Sequence, residues 1–398
     1  MHTLLSPAVQ ASLGGSSLIR RMFEAGLELK KKYGNDNVYD FSLGNPDLAP
    51  PPAVKSALEQ IASTADQPLS LGYMANAGFP STRAAFARLV TREQGIPTAP
   101  ENIVATVGAA GGLNVFFHAV LSPGDEVLVP SPYFVEYGFY CGNHGGRLVP
   151  VPTHPGDFSL DLPAIRAAIT PATRAIIINT PNNPTGQIYP ADDLAELGRI
   201  LAEASARHGR VIYLVSDEPY RALNYTGEPL PSIFQAYEHS VVIGSFSKTL
   251  CLAGERIGYV APNPLIGPGL SDLMAGLILA NRTLGFVNAP NIGQRIAEAA
   301  IDASVDLATY QRRRDRLAAI LSDAGISFVL PKGAFYFFAR SPVPDESKFV
   351  DALLAQRILV VAGAAFGLSG HVRLAFCVAD ATIENSAPGF LAAMQDFR

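Results

Sequence analysis

The sequence predicts an α/β fold: a large doubly wound, mostly parallel sheet, with a smaller α+β domain drawn from both termini. Three observations predict it. From about Asn102, short β-branched runs alternate with helical patterns. After about Pro290 that alternation gives way to a long helical pattern followed by mixed short elements. The 398 residues also exceed the roughly 150 that one domain usually holds.

Taken in order, residues 1–45 precede the sheet, carry helix signals of their own and are assigned to the small domain. A Pro-rich stretch at 46–52 leads into the large domain, which spans 46–290. Its strands are expected at 103–107, 126–129, 147–151, 175–179, 211–216, 241–246 and 256–260. Between them, residues 191–208 come after Pro190 and repeat Leu194, Leu197 and Leu201 on one face, a helix with Pro at its entrance. The rest, 291–398, reads as a long interdomain helix at 291–322, strands at 328–330, 334–339, 359–361 and 372–377, and a helix at 347–357.

Composition narrows the function classes. Hydrophobic residues make up 48% and charged ones 16%, enough for a large core and too apolar for disorder. Net charge is −5. The cationic stretches 20–21, 30–32 and 312–316 read as solvated helix faces, so nucleic acid is not an expected partner. Cys141, Cys251 and Cys377 are odd in number and far apart, which suits a reduced cytoplasmic protein better than a disulfide scaffold. The seven histidines show no metal-ligand spacing, and no metal is expected. No run reaches the roughly 18 apolar residues of a membrane helix. Residues 4–18 are not read as a leader, because basic residues come after them and not before.

Ligands of open α/β sheets gather at the carboxyl ends of strands, so the residues just beyond each strand are informative. After 103–107 comes Gly108-Ala-Ala-Gly-Gly, opening a helix: a phosphate cup, or a turn used only for packing. After 175–179 comes TPNNPTG, either a plain Asx turn or a rigid holder of amide side chains. After 211–216 comes Asp217, a carboxylate at the tip of a buried strand that needs a cation or a helix to cap. After 241–246 comes Ser247-Lys248, where a partly dry lysine becomes a nucleophilic amine. Arg256 precedes a further apolar run, where a buried guanidinium needs an anion such as phosphate. Together these ends supply an imine-forming lysine, a carboxylate for a ring nitrogen, polar groups for a ring hydroxyl and two phosphate anchors, the set that holds pyridoxal 5′-phosphate (PLP).

With NNPTG at 182–186, SDEPY at 216–220, SFSKTLCLAGERIGY at 245–259 and HVRLAF at 371–376, the chain resembles the class I/II aminotransferases, the aspartate aminotransferase-like PLP enzymes, over nearly its whole length. The resemblance implies that Lys248 forms the internal Schiff base and shuttles the Cα proton. It implies that Asp217 keeps the pyridine nitrogen protonated and that Asn183 and Tyr220 bond the ring oxygen. Ser245, Arg256, the Gly108 turn and the amides of Ala109 and Ala110 would hold the phosphate. Tyr73 would reach the phosphate of a neighbouring subunit, making a homodimer. Phe134, in preference to Tyr133, would cover the ring. Arg373, with Gly44 and Asn183 beside it, would grip the substrate carboxylate, and Arg340 is a rival for which a surface role is expected. Two departures stand out. The phosphate turn lacks the hydroxyl many relatives carry, and Ala110 stands where some aspartate-using bacterial relatives have lysine.

The implied reaction is a two-stage, ping-pong transfer of the amino group of an L-amino acid to a 2-oxo acid. A lyase or decarboxylase of the same fold would use nearly the same residues. Ser245-Phe-Ser-Lys248 also satisfies the S-x-x-K string of serine acyl-enzymes, but their SDN and KTG partners are missing. A silent PLP-binding module attached to a DNA-binding regulator would need more N-terminal chain and no use for the lysine.

Overall fold

In the computed structural model the described residues are 4–6, 9–10 and 17–397, and the side chains of 17–21 and 23 are not among them. The 4–18 stretch and the side chains of Arg20–Arg21 therefore lie largely outside the described residues. Twelve described strands run in chain order: β1 (Tyr39–Asp40), β2 (Val104–Thr106), β3 (Glu126–Ser131), β4 (Arg147–Pro152), β5 (Thr173–Asn179), β6 (Tyr213–Asp217), β7 (Ser240–Ser245), β8 (Gly258–Pro262), β9 (Tyr336–Arg340), β10 (Ile358–Leu359), β11 (Val361–Ala362) and β12 (His371–Ala375).

The seven strands expected between 103 and 260 all form, and they make one sheet in the order β2-β8-β7-β6-β5-β3-β4. Only β8 runs antiparallel to its neighbours. Alternate residues feed two apolar layers, as the twofold period of a strand requires. Ala105, Ile176, Ile178, Leu214 and Val242 pack into one cluster. Val104, Ala175, Ile177, Val215 and Val241 pack into the other. Helix Ala191–His208 forms as expected and buries Leu194, Leu197 and Leu201.

The C-terminal region holds an antiparallel sheet β11-β12-β9 over a separate core. The N-terminal segment joins it: β1 pairs in parallel with β10, and Phe41 is buried in the same cluster.

Three expectations fail here. The single helix at 291–322 is two, Asn291–Ala299 and Leu307–Ala324. Asp306 starts the second by accepting from the amides of Ala308 and Thr309, which fixes a break that helical periodicity alone does not reveal. The 328–330 strand reduces to one bridge, Phe328 to Ala339. Within the cationic stretch at 312–316, Arg313 and Arg314 are buried. Arg313 bridges Asp47 and Asp380 at 2.8 and 2.5 Å, and Arg314 lies 4.8 Å over the Tyr225 ring, so partners replace solvent. No described helix is long and apolar enough to cross a membrane.

Candidate active site

Three neighbouring parallel strands end together, and their last residues are Asn179 on β5, Asp217 on β6 and Ser245 on β7. These ends form the floor of a cavity of about 370 Å³, a size typical of small-ligand sites. The segment around Gly44 and the strands β9 and β12, through Tyr336 and Arg373, close it from the other side.

Asp217 is buried, and no helix starts there, so the capping role falls away. Its Oδ2 accepts from the Tyr137 hydroxyl at 2.7 Å, while Oδ1 is buried with no hydrogen-bond partner among the described residues. Burial pushes this carboxyl up to about 7, against the pull of the Tyr137 bond. A buried carboxylate with one open oxygen is costly unless a cationic donor meets it. A protonated ring nitrogen is such a donor.

Asn179 organises the next wall. Its Nδ2 donates to the Asp217 carbonyl at 2.8 Å, and its Oδ1 accepts from the Asn183 amide at 2.6 Å. The TPNNPTG turn then divides its work. Asn182 makes the Asx turn, with Oδ1 accepting from the Thr185 amide and hydroxyl at 3.1 and 2.9 Å. Asn183 is left to face the cavity and accepts from Arg373 Nη1 at 3.1 Å.

Lys248 projects into the same cavity, and its Nζ donates to the Gly44 carbonyl at 2.8 Å. Burial lowers its pKa, with Arg256 and Arg373 helping and Cys377 opposing, which raises the fraction of free amine. Gly44 has to be glycine: a Cβ there would lie 1.9 Å from the Tyr336 hydroxyl. That hydroxyl is 2.9 Å from the hydroxyl of Tyr220, which burial holds well above its ordinary pKa.

Arg373 is buried between Tyr336 and Phe366, its guanidinium carbon 4.6 Å from each ring centre. Nη2 donates to the Ser42 carbonyl at 2.6 Å, and Nε has no partner among the described residues. A buried guanidinium with neutral partners and an open N–H awaits an anion.

At the cavity's far end, helix Gly108–Val120 begins with amides at Ala109 and Ala110 that have no acceptor within the helix. Gly108 has φ +68°, and a Cβ on it would come within 2.8 Å of Arg256 Nη2. Ser245 and Ser247 complete this corner, their hydroxyls 2.9 Å apart. Arg256 corrects the sequence reading: it is exposed at the cavity rim, not buried, with Nη1 on the Ala253 carbonyl at 2.9 Å. Arg256 itself has φ +51°, and its guanidinium reaches the Gly108 turn along the cavity wall.

Phe134 lines the cavity, edge-on to Tyr137 at 5.6 Å. Tyr133 turns away, and its amide donates to the Phe366 carbonyl at 3.0 Å. Tyr73 lies outside the cavity and is 91% exposed. Arg340 ends β9 in an exposed position, outside the cavity.

Sequence reasoning missed Tyr137, Tyr336, Asn179 and Glu136. Asn179 closes a strand already singled out, and Tyr137 and Glu136 sit within the SPYFVEY string. Nothing in the order of residues ties Tyr336 to Gly44.

A family model for class I and II aminotransferases matches residues 36–388. A probable aspartate/prephenate aminotransferase of Thermus aquaticus is 35% identical over 373 residues, covering 93% of this chain and 94% of its own. The solved structure of an aminotransferase from Eubacterium rectale superposes with a TM-score of 0.95 at 33% identity, covering 100% of both chains. The Thermus thermophilus aspartate aminotransferase with maleate gives a TM-score of 0.86 at 32% identity, over 99% and 100% of the two chains.

Proposed function

The chain belongs to the class I and II aminotransferases, and on that basis we propose that it moves the amino group of an L-amino acid to a 2-oxo acid, with PLP as its cofactor. One observation carries the reading: a lysine amine, a buried carboxylate with one oxygen unpaired among the described residues and a buried guanidinium with no acidic partner among them face one cavity.

The residues fit the cofactor. Lys248 would hold it covalently through Nζ, and Asp217 Oδ1 would face its ring nitrogen. Asn183 and Tyr220 would bond its ring oxygen, and Phe134 would cover the ring. The Gly108 turn, the amides of Ala109 and Ala110, Ser245 and Arg256 would hold its phosphate. When bound, PLP supplies a sink for the electron pair left on the substrate Cα.

The chain's own groups do the rest. Arg373, stacked between its two aromatic neighbours, grips the substrate α-carboxylate with the guanidinium N–H groups that Asn183 and Ser42 leave free, and so fixes the Cα–H bond relative to Lys248. Gly44 lines this pocket and, through its carbonyl, steadies Nζ. Because burial favours the neutral amine, Lys248 acts as the base that takes the Cα proton at Nζ. Tyr336 orients the Tyr220 hydroxyl. Two half-reactions sharing one site imply ping-pong kinetics. The exposed Tyr73 would reach the phosphate of a second copy, giving a homodimer. Three free cysteines support a cytoplasmic location.

The test uses purified holoprotein. It is expected to be yellow, to bleach with borohydride and to carry the reduced label on Lys248 by peptide mass spectrometry. Initial-rate plots against donor at several acceptor concentrations should be parallel. Full turnover by Lys248→Ala, or a label elsewhere, refutes the assignment.

A further inference from the structure

We propose that Glu218 and Arg221 form a clamp behind the sheet that sets the spacing of Asp217 and Tyr220, making both positioning residues for the cofactor; this rests on the aminotransferase reading above. Residues 217–221 divide by direction. Asp217 and Tyr220 line the cavity, whereas Glu218 and Arg221 are buried outside it. Glu218 shares its face of the chain with Ser216, as the twofold alternation of a strand requires, and so points away from Asp217.

The Glu218 carboxylate accepts from the Ser216 hydroxyl at 2.8 Å, from Gln94 Nε2 at 3.2 Å and from Arg221 Nη1 at 3.1 Å. Its amide donates to the Ile243 carbonyl at 2.9 Å, which ties the end of β6 to β7. Arg221 Nη2 in turn donates to the carbonyls of Glu93, Leu230 and Pro231 at 2.8, 3.2 and 3.3 Å. The Glu93 carboxylate lies 3.6 Å from Arg221 Nε. The ion pair therefore closes across Pro219 and Tyr220 and anchors that turn to two other segments. Apolar side chains of similar volume often stabilise a fold as well as a buried ion pair does, so the charges here point to orientation. Asp217 Oδ1 and the Tyr220 hydroxyl would meet the nitrogen and the oxygen of one rigid ring. Their separation has to match that ring, because hydrogen bonds weaken steeply when misaligned. Tyr336 holds the Tyr220 hydroxyl from the front at 2.9 Å, and the clamp holds the turn from behind.

The experiment compares PLP with a benzaldehyde carrying the same phosphate arm, in which carbon replaces the ring nitrogen and hydrogen the ring hydroxyl. Both are titrated calorimetrically into the apoprotein of wild type, Glu218→Gln and Arg221→Lys. Wild type is expected to prefer PLP at least about tenfold. Glu218→Gln keeps the shape and the Ser216 and Gln94 partners but loses the charge. It should reduce the preference to about threefold or less by weakening PLP, with the benzaldehyde unmoved within about twofold. Arg221→Lys keeps the charge, loses the fork and should act in the same direction; it carries the test if the glutamine variant does not fold. In both variants the pH midpoint of the bound cofactor's absorbance should rise, because displaced Asp217 and Tyr220 stabilise the charged ring less. Equal weakening of both ligands, a preference kept in full or an unmoved midpoint would each overturn the clamp and leave the cofactor reading standing. Wild type that binds the two ligands equally overturns the cofactor reading, and the clamp with it.

Discussion

Replacing Asp217 with asparagine separates the carboxylate's charge from its shape. In the cofactor-free protein Asp217 is buried, holds one hydrogen bond and leaves Oδ1 unpaired. Its pKa is raised from 3.8 to about 7. The folded state therefore binds a proton that the unfolded state releases, between those two values. Stability from this group is complete below the unfolded pKa and is lost as pH rises through the folded one. From pH 5 to pH 8 the loss amounts to about 2–3 kcal/mol. The assay is urea unfolding of apoprotein, wild type and Asp217→Asn, at half-unit steps across that range. The difference between the two curves isolates this carboxyl: wild type loses ground on the variant as pH rises, most steeply between pH 5 and 7 and little beyond that. Binding of the cofactor should abolish the trend, because a protonated ring nitrogen opposite Oδ1 restores the charged form. A difference curve flat from pH 5 to 8 in the apoprotein would refute the claim that burial leaves this carboxylate in need of a cation.

Three other substitutions probe the walls. Gly44→Ala places a Cβ 1.9 Å from the Tyr336 hydroxyl and should cost about 1–3 kcal/mol of stability by thermal unfolding. Adding Tyr336→Phe should relieve this only in part, since the ring carbon Cζ remains at 2.7 Å. Asn179→Ala leaves the Asn183 amide without its acceptor and should lower stability by about 2 kcal/mol. It should also loosen cofactor binding, measured by dialysis and absorbance. Arg373→Lys keeps the charge but loses the fork, so KM for amino acids should rise at least about tenfold while the holoenzyme spectrum stays unchanged. An unaltered KM would remove Arg373 from carboxylate recognition.

Much of the fold was legible because buried parallel strands declare themselves. Runs such as Ala175–Ile178 and Val241–Ile243 are apolar on both faces, and all seven expected strands of the large sheet form. What failed depended on contacts. The helix break before Leu307 rests on the Asp306 side chain and on the Val305 amide reaching the Thr249 carbonyl at 2.9 Å, a partner far away in sequence. Arg313 and Arg314 read as solvated because their spacing does not name Asp47, Asp380 or Tyr225.

The candidate site divides along the same line. Polar residues beyond apolar strands picked out Lys248, Asp217 and Arg256 in the sequence, and the family resemblance added Asn183, Tyr220 and Arg373. Only the tertiary structure decided what each of them faces. It left Asp217 Oδ1 and Arg373 Nε without partners, set Tyr336 against Gly44, brought Arg256 out to the rim and put Glu136 in the wall. The physical reason is that chemical type is carried by each residue, whereas solvation and pairing arise when segments as distant as 44, 136, 217 and 373 converge.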